Sequence, residues 1–377
     1  MKNNFYAKFL SLFTIILLIY GCSDDRNTFF MTPKDNQRTI KYDSLKFGSE
    51  NIDLSNTSFV GHTVIKNDFI YFLDKYFSLL YVIDKDLNVV GRHVGQGRGR
   101  GEVPMKNVYG YAIDEEGNHI LLGTTDEIYT ISPSFDNVEV AFYHYQNTGN
   151  SIHPMYTEAE NYCPVYEDLY INFYHGKLFI AIEGTSRDLT DFTQISEKWY
   201  KHSRMIMEID KEKGAVDRVF GRVSPNVPVG SGIFGHFFQI DSEGNFYVGF
   251  QADSVMYKYD NDYNLLSAFG YDGIGITKDY GKIPTELDKI KPFLIKELDE
   301  KGYFTSMTMA NGHIFRTYRT GGDNNQDRMQ IYEGETLVGD VAIPEQFKVT
   351  GYIAPYYYSN IVCDEDEERL TIYKFKL

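Results

Sequence analysis

Three dipeptides carry the first hint of chemistry: Gly61-His62, Gly110-Tyr111 and Gly235-His236, each at the head of an apolar and aromatic run. If those runs are equivalent strands about one axis, two imidazoles and a phenol converge at a single opening. With acids nearby, such a set could ligate Zn²⁺ or another transition metal, or supply a general base. No two histidines have the i, i+4 spacing that makes a metal site legible on a helix. The plainer expectation is that glycine relieves crowding near the axis while the polar rings meet channel water. No cofactor is therefore expected, with a channel metal ion held open as the alternative.

A second candidate is the run Gly95-Gln96-Gly97-Arg98-Gly99-Arg100-Gly101, which sets backbone amides beside two cations and could hold an anion. It matches neither common phosphate-loop pattern, and a connecting loop also uses glycine for positive φ. Arg98 and Arg100 are retained because they form the one concentrated basic feature of an acidic chain. Trp199, with Tyr200 and His202, and the run Tyr356-Tyr357-Tyr358 have flat amphipathic rings that could stack on sugars. In a chain with 31 tyrosines, strand packing explains such clusters more simply.

Asp84-x-Asp86-x-Asn88 and Asp260-x-Asp262-x-Asn264 open like calcium loops, but Gly95 and Tyr271 stand where the twelfth-position Glu would be needed. Asp and Asn also favour hairpin turns by bonding local backbone, and that is the expectation here. No G-x-S-x-G, H-E-x-x-H or C-x-x-C occurs, which removes three readily recognised enzyme classes.

The elements that must position these residues recur. One unit consists of an apolar strand, an Asp/Gly/Asn turn, an aromatic strand, a third strand, a second turn and a final strand. Its clearest copy runs from Gly235 to Gly270, with further copies over His62 to Val94 and Tyr111 to Tyr143. A third-strand anchor falls at Tyr81, Tyr129, Met207, Tyr257, Tyr332 and Tyr373, at spacings of 48, 78, 50, 75 and 41. Six four-stranded units of this length predict an all-β, six-bladed β-propeller over residues 39–377.

The two long spacings need insertions, around Gln146 to Pro164, Thr185 to His202 and Tyr271 to Lys301. Residues Asp188 to Lys201 read as helical. Leu287, Ile290, Leu294 and Leu298 recur at helical spacing, with Pro292 expected to kink the helix or start a turn. The last copy supplies only three strands, so the loosely alternating stretch Arg38 to Phe47 is expected to close the ring as its outer strand.

The N-terminus reads differently. Lys2 and Lys8 flank the start, and Phe9 to Tyr20 is an apolar run of 12 residues, too short to span a bilayer and suited to a signal-peptide core. No other stretch could span a membrane. Removing residues 1–21, which hold Lys2, Lys8 and no acid, takes the formal charge from −16 to −18. An acidic body of that kind repels phosphate backbones, so nucleic acid is not an expected partner.

Leu18-Ile19-Tyr20-Gly21-Cys22 resembles the lipobox of bacterial lipoproteins, and Ser23-Asp24-Asp25 resembles the acidic export tag of Bacteroidota surface lipoproteins. The resemblance implies a signal peptide over 1–21, lipidation of Cys22 and a polar tether over 22–38. Val82 to Asn88, Gly95 to Pro104 and Ala112 to Asn118 are similar to the NHL and TolB-like propeller repeat. Together these features resemble the TolB-like six-bladed propeller lipoproteins of Bacteroidota.

The location implied is the outer membrane, on its periplasmic or surface side, with membrane contact through the lipid alone. Cys163 and Cys363 fall on units three apart, on opposite sides of a six-membered ring, so no disulfide is expected between them. The functional expectation is a binding or scaffold module for a protein or glycan. The alternative is a lactonase- or lyase-type propeller enzyme holding a channel metal.

Overall fold

A computed structural model describes residues 29–33, 36–105, 107–123, 126–143, 161–164, 170–185, 196–323, 325–364 and 368–377. The signal-like segment and Cys22 lie outside the described residues. So does most of the first insertion.

The hairpin turns show how the sequence builds each unit. In Asp84–Asn88 the Asp84 carboxylate accepts from the amides of Asp86 and Asn88, both at 2.9 Å. The same clasp recurs at Asp114–Asn118, Asp241–Asn245 and Asp260–Asn264. These acids therefore spend one oxygen on backbone N–H groups, as an Asx turn requires, and the other on the Asn side chain of the same turn, so the calcium-like spacing is a turn signature. The fourth residue of each turn is left-handed: Leu87, Gly117, Gly244 and Tyr263, with φ of 65, 88, 85 and 65°. Glycine meets that demand without strain. Tyr263 meets it because its ring is held elsewhere, stacked 4.1 Å from Tyr259 and buried against Phe220.

Pairs of such hairpins make six antiparallel blades. Blade 1 is Gly61–Lys66, Phe69–Asp74, Leu79–Ile83 and Val89–Val94. Blade 2 is Gly110–Ile113, His119–Leu122, Glu127–Ile131 and Val138–Phe142. Blade 3 is Ile171–Tyr174, Lys177–Thr185, Ile206–Asp210 and Val216–Phe220, with Asn161–Pro164 added along the far half of its second strand. Blade 4 is His236–Ile240, Phe246–Phe250, Asp253–Tyr259 and Leu265–Phe269. Blade 5 is Tyr303–Ala310, His313–Arg319, Asp327–Glu333 and Thr336–Ala342. Blade 6 is Val349–Ile353, Tyr356–Asp364 and Arg369–Phe375, completed from the N-terminus. Innermost strands touch in chain order, and that of blade 6 returns to that of blade 1. All six third-strand anchors fall on third strands.

The N-terminal segment departs from expectation. The stretch Arg38 to Phe47 does not close the last blade. Instead β1 (Gln37–Tyr42) adds a parallel fifth strand to the outside of blade 5, and β2 (Gly48–Ile52) pairs antiparallel with Arg369–Phe375 to close the ring. The reason is geometric: an outermost strand faces solvent, so Gly48-Ser49-Glu50-Asn51-Ile52 needs only Ile52 buried and shows no apolar alternation. Between the two strands, Phe47 packs on Phe347 and Phe375 with ring centroids 5.2 and 5.4 Å apart.

The expected tether to residue 38 is also too long. Phe29, Phe30 and Met31 pack against the large core cluster. The Tyr259 hydroxyl donates to the Phe29 carbonyl at 2.7 Å, and the Asn36 amide both donates to and accepts from the Gly270 backbone.

Two insertions form helices, α1 (Glu197–His202) and α2 (Leu287–Lys301). Helix α2 runs through Pro292, which sits a turn and a half from the start and removes one internal hydrogen bond, to the Asp288 carbonyl. No helix among the described residues is long and apolar enough to cross a membrane. Cys163 sits on the strand added to blade 3, and Cys363 on the second strand of blade 6.

Candidate functional site

Each innermost strand starts on the same face of the ring, and a cavity of about 220 Å³ opens there on the axis. Five blades line it: Gly61, His62 and Thr63 from blade 1, Tyr111 from blade 2, and Tyr170 just before blade 3. Ser306 and Thr308 come from blade 5, and Lys348, Val349, Thr350 and Asn360 from blade 6. Gly61 is required by close packing, since a Cβ there would press into the Leu73 carbonyl and the Phe72 ring.

His62 and Tyr111, two of the three channel candidates, meet in this cavity. The His62 Nε2 donates to the Val108 carbonyl at 3.1 Å, which fixes its ring at the seam of blades 1 and 2. Tyr111 is 6 % exposed, and its hydroxyl turns away to bond His119 Nδ1 at 2.8 Å. Burial, with His93 adding to it, depresses His119 to about 4. That imidazole is neutral at pH 7, and in the tautomer protonated at Nε2 its Nδ1 accepts from the phenol. Burial also pushes the Tyr111 phenol well above its usual range. Tyr111 therefore offers the cavity a ring face rather than an acidic hydroxyl.

His236 is not among the lining residues. It is 5 % exposed, and its Nε2 donates to the Met205 carbonyl at 2.7 Å. Its Nδ1 has no partner among the described residues, and burial depresses the ring to about 4. It is a neutral packing histidine at the seam of blades 3 and 4.

Trp199 leaves the candidate set. It is fully buried, its Nε1 donates to the Gly184 carbonyl at 2.9 Å, and Phe234 covers it edge-on at 4.6 Å. A ring with no open face cannot stack on a sugar. Tyr357 and Tyr358 are likewise buried.

The glycine–arginine loop supplies its own anion. The Gly99 N–H donates to the Glu102 carboxylate at 2.7 Å, and Arg100 bonds the carbonyl and carboxylate of Asp136. Arg98 is exposed.

Residues that sequence reasoning passed over complete the mouth. The Lys348 N–H donates to Asn360 Oδ1 and the Asn360 N–H donates to the Lys348 carbonyl, both at 2.8 Å. The Ile361 N–H donates to Thr63 Oγ1 at 2.9 Å across the seam of blades 6 and 1. Gly61 and Asn360 also border a groove of about 740 Å³ that runs outward along that seam. It is lined in part by Phe59, Glu345, Arg369 and Tyr373. Aligning the inner-strand start of blade 6 with Gly61-His62 would have found Lys348, whereas Thr308 lies near the end of the inner strand of blade 5. Nothing local marks Asn360, which reaches the mouth from a second strand.

Fit to a metal can be judged from the donors. Among the described residues the mouth offers one imidazole and no carboxylate, and no group of three or more His, Cys, Asp or Glu could hold an ion. This donor set suits neither Zn²⁺ nor a hard divalent cation.

No protein-family model matches the sequence, and no curated protein matches it. The structure is similar to that of a putative exported protein from Bacteroides fragilis. The TM-score is 0.52 at 13% identity, covering 90% of this chain and 97% of that one. It also aligns with virginiamycin B lyase from Staphylococcus aureus (TM-score 0.44, 11% identity, 89% and 100% covered). The calcium-binding protein regucalcin from Agrobacterium tumefaciens aligns with TM-score 0.47 at 11% identity, with 89% and 97% covered. At these identities the likeness is one of fold.

Proposed function

We propose that this propeller is a non-catalytic binding module of the cell envelope, held to the membrane through Cys22 and taking a glycan at the channel mouth. The observation that carries this reading is the composition of the mouth. Among the described residues, five blades contribute hydroxyls, an amide, an imidazole, one ammonium and two tyrosine rings. Polyhydroxylated ligands need many weak hydrogen-bond partners and a flat apolar face, and this set supplies both. The groove along the seam of blades 6 and 1 gives room for further units, and its size is within the usual range of about 300–1,000 Å³ for ligand sites.

The envelope location rests on the signal-like run ending at Gly21-Cys22. The exported character carried in the name of the Bacteroides fragilis protein agrees with it. Diacylglycerol on the Cys22 peptide, read by mass spectrometry, is the expected result, and an unmodified thiol there would remove the anchor.

The binding role is tested on a glycan array with the mature protein beside a His62→Ala/Tyr170→Ala variant of equal thermal stability. Saturable binding to a glycan class, lost in the variant, is expected. Absence of any array binding would contradict the reading, as would a stoichiometric bound transition metal that His62→Ala removes.

A further inference from the structure

The insertion between blades 4 and 5 carries apolar surface that the fold does not use. Among the described residues, five large apolar side chains are more than half exposed, and three of them, Ile274, Leu287 and Ile295, belong to this insertion. Leu287 is 86 % and Ile295 51 % exposed. With Lys291 between them they form a row at i, i+4 and i+8 along α2. The adjacent row does the packing, with Leu294 and Leu298 against the large core cluster. Residues 271–301 hold six lysines and seven acids, a net charge of −1 on a chain of −16. Apolar side chains gathered on a nearly neutral surface mark a contact site.

The length of chain ahead of the fold identifies what covers this row. Cys22 is seven residues from Phe29, a reach of at most about 25 Å when fully extended. Phe29 is held on the propeller, its ring under the Arg222 guanidinium at 4.5 Å and its carbonyl bonded to the Tyr259 hydroxyl. Arg222 belongs to the connection from blade 3 to blade 4, and the insertion rests on that same connection. The Ile283 N–H donates to the Gly230 carbonyl at 2.9 Å, and a Cβ at Gly232 would come 2.8 Å from Ile283 and 3.0 Å from Leu294. A bilayer holding a lipidated Cys22 thus lies beside the insertion. Under that tether a contact of few side chains forms intramolecularly, at high effective concentration.

We propose that Leu287, Lys291 and Ile295 rest in the surface of the bilayer that holds Cys22, the two aliphatic side chains among the upper acyl chains and the lysine reaching the headgroups. The inference rests on the Cys22 anchor proposed above and fixes how the propeller stands on it. Membrane contact is then wider than the lipid alone. Helix α2 ends at Lys301, two residues before the innermost strand of blade 5, so it lies on the face that carries the mouth. The groove along the seam of blades 6 and 1 lies across the ring from the seam that holds Phe29, and so stays open to ligand.

Tryptophan fluorescence of the lipidated protein in phosphatidylcholine vesicles tests it. Trp199, the single tryptophan, is fully buried and gives a constant background. A tryptophan placed by Ile295→Trp is expected to lose about half or more of its emission when the acyl chains are brominated, since an interfacial helix seats its apolar face about 5–10 Å deep. Val90→Trp, a comparably exposed position on blade 1, should be unaffected, and it controls for the ring's own preference for interfaces. Leu287→Asp added to Ile295→Trp should restore most of the emission. Thermal unfolding of each variant confirms an intact fold.

With Cys22 lipidated, emission of Ile295→Trp that bromination leaves unchanged would overturn the membrane contact and leave the anchor standing. A blue-shifted but unquenched tryptophan there would place the row against protein, a second copy of this chain included, and overturn the inference equally. Quenching of Val90→Trp as strong as that of Ile295→Trp would overturn the fixed orientation. An unmodified Cys22 thiol would overturn the anchor and the membrane contact together.

Discussion

His62 and His236 start from the same local sequence, a glycine followed by histidine at the head of an innermost strand, and end in opposite roles. His62 lines an open polar cavity at the edge of blade 1. His236 is sealed at the seam of blades 3 and 4, where, among the described residues, its ring bonds only the Met205 carbonyl. That seam is packed with large apolar residues, Trp199, Phe234 and Phe250 among them. The facing seam, between blades 6 and 1, is opened by Thr63, Asn360 and a broad groove. The dipeptide therefore marks where a strand begins. Whether its side chain does chemistry is decided by the neighbouring blade, which the dipeptide does not encode.

The comparison can be broken by mutation. Trp199→Ala should have the largest effect, destabilising the fold by roughly 3–5 kcal/mol through the cavity it leaves, while ligand affinity at the mouth stays within about twofold. Denaturant unfolding with parallel titration checks this, and a loss of binding without a loss of stability would return Trp199 to the site.

Acid should act on the packed seam next. His236 is held neutral at about 4 by burial, below the usual value of about 6.5 for an unfolded chain. The unfolded state therefore binds the proton first. The stability this histidine contributes is complete above about pH 6.5 and is lost as pH falls toward 4. Between pH 7 and 4.5 the loss is about 2–3 kcal/mol from this residue. His236→Gln should remove that share of the acid sensitivity in chemical denaturation at the two pH values, and an unchanged pH slope would contradict the neutral, buried assignment. His119, also at about 4, adds a parallel loss at the seam of blades 1 and 2.

The smallest effect is expected at the glycine–arginine loop. Arg98→Ala and Arg100→Ala should each shift stability by no more than about 0.5 kcal/mol, as exposed positions do, and should leave glycan binding unchanged. Lost glycan affinity in Arg98→Ala would move the binding site from the mouth to this loop.

Much of the fold was legible because blades are local. Asp/Asn turns, strand alternation and the six third-strand anchors are written within each unit, and each anchor lies on a third strand. The ring-closing strand was misplaced because Gly48–Ile52 has solvent on one side and needs no alternating pattern, while Arg38–Tyr42, which does alternate, pairs along blade 5 with only Tyr42 half-buried. The tether was drawn too long because Phe29 and Phe30 look unremarkable until Tyr257 and Tyr259 stand beside them. The site was legible only as far as the inner-strand starts. Asn360 enters from a second strand through a bond to Lys348, a pairing that no spacing announces.

The account turns on where ligand sits. Hydrogen–deuterium exchange with and without a glycan identified on the array locates it directly. Protection is predicted over residues 61–63, 348–350 and 360–361, with none at 197–202 or 95–101. Protection confined to the blade 3 insertion or to the glycine–arginine loop, with the mouth unchanged, would contradict the assignment of the channel mouth as the binding site.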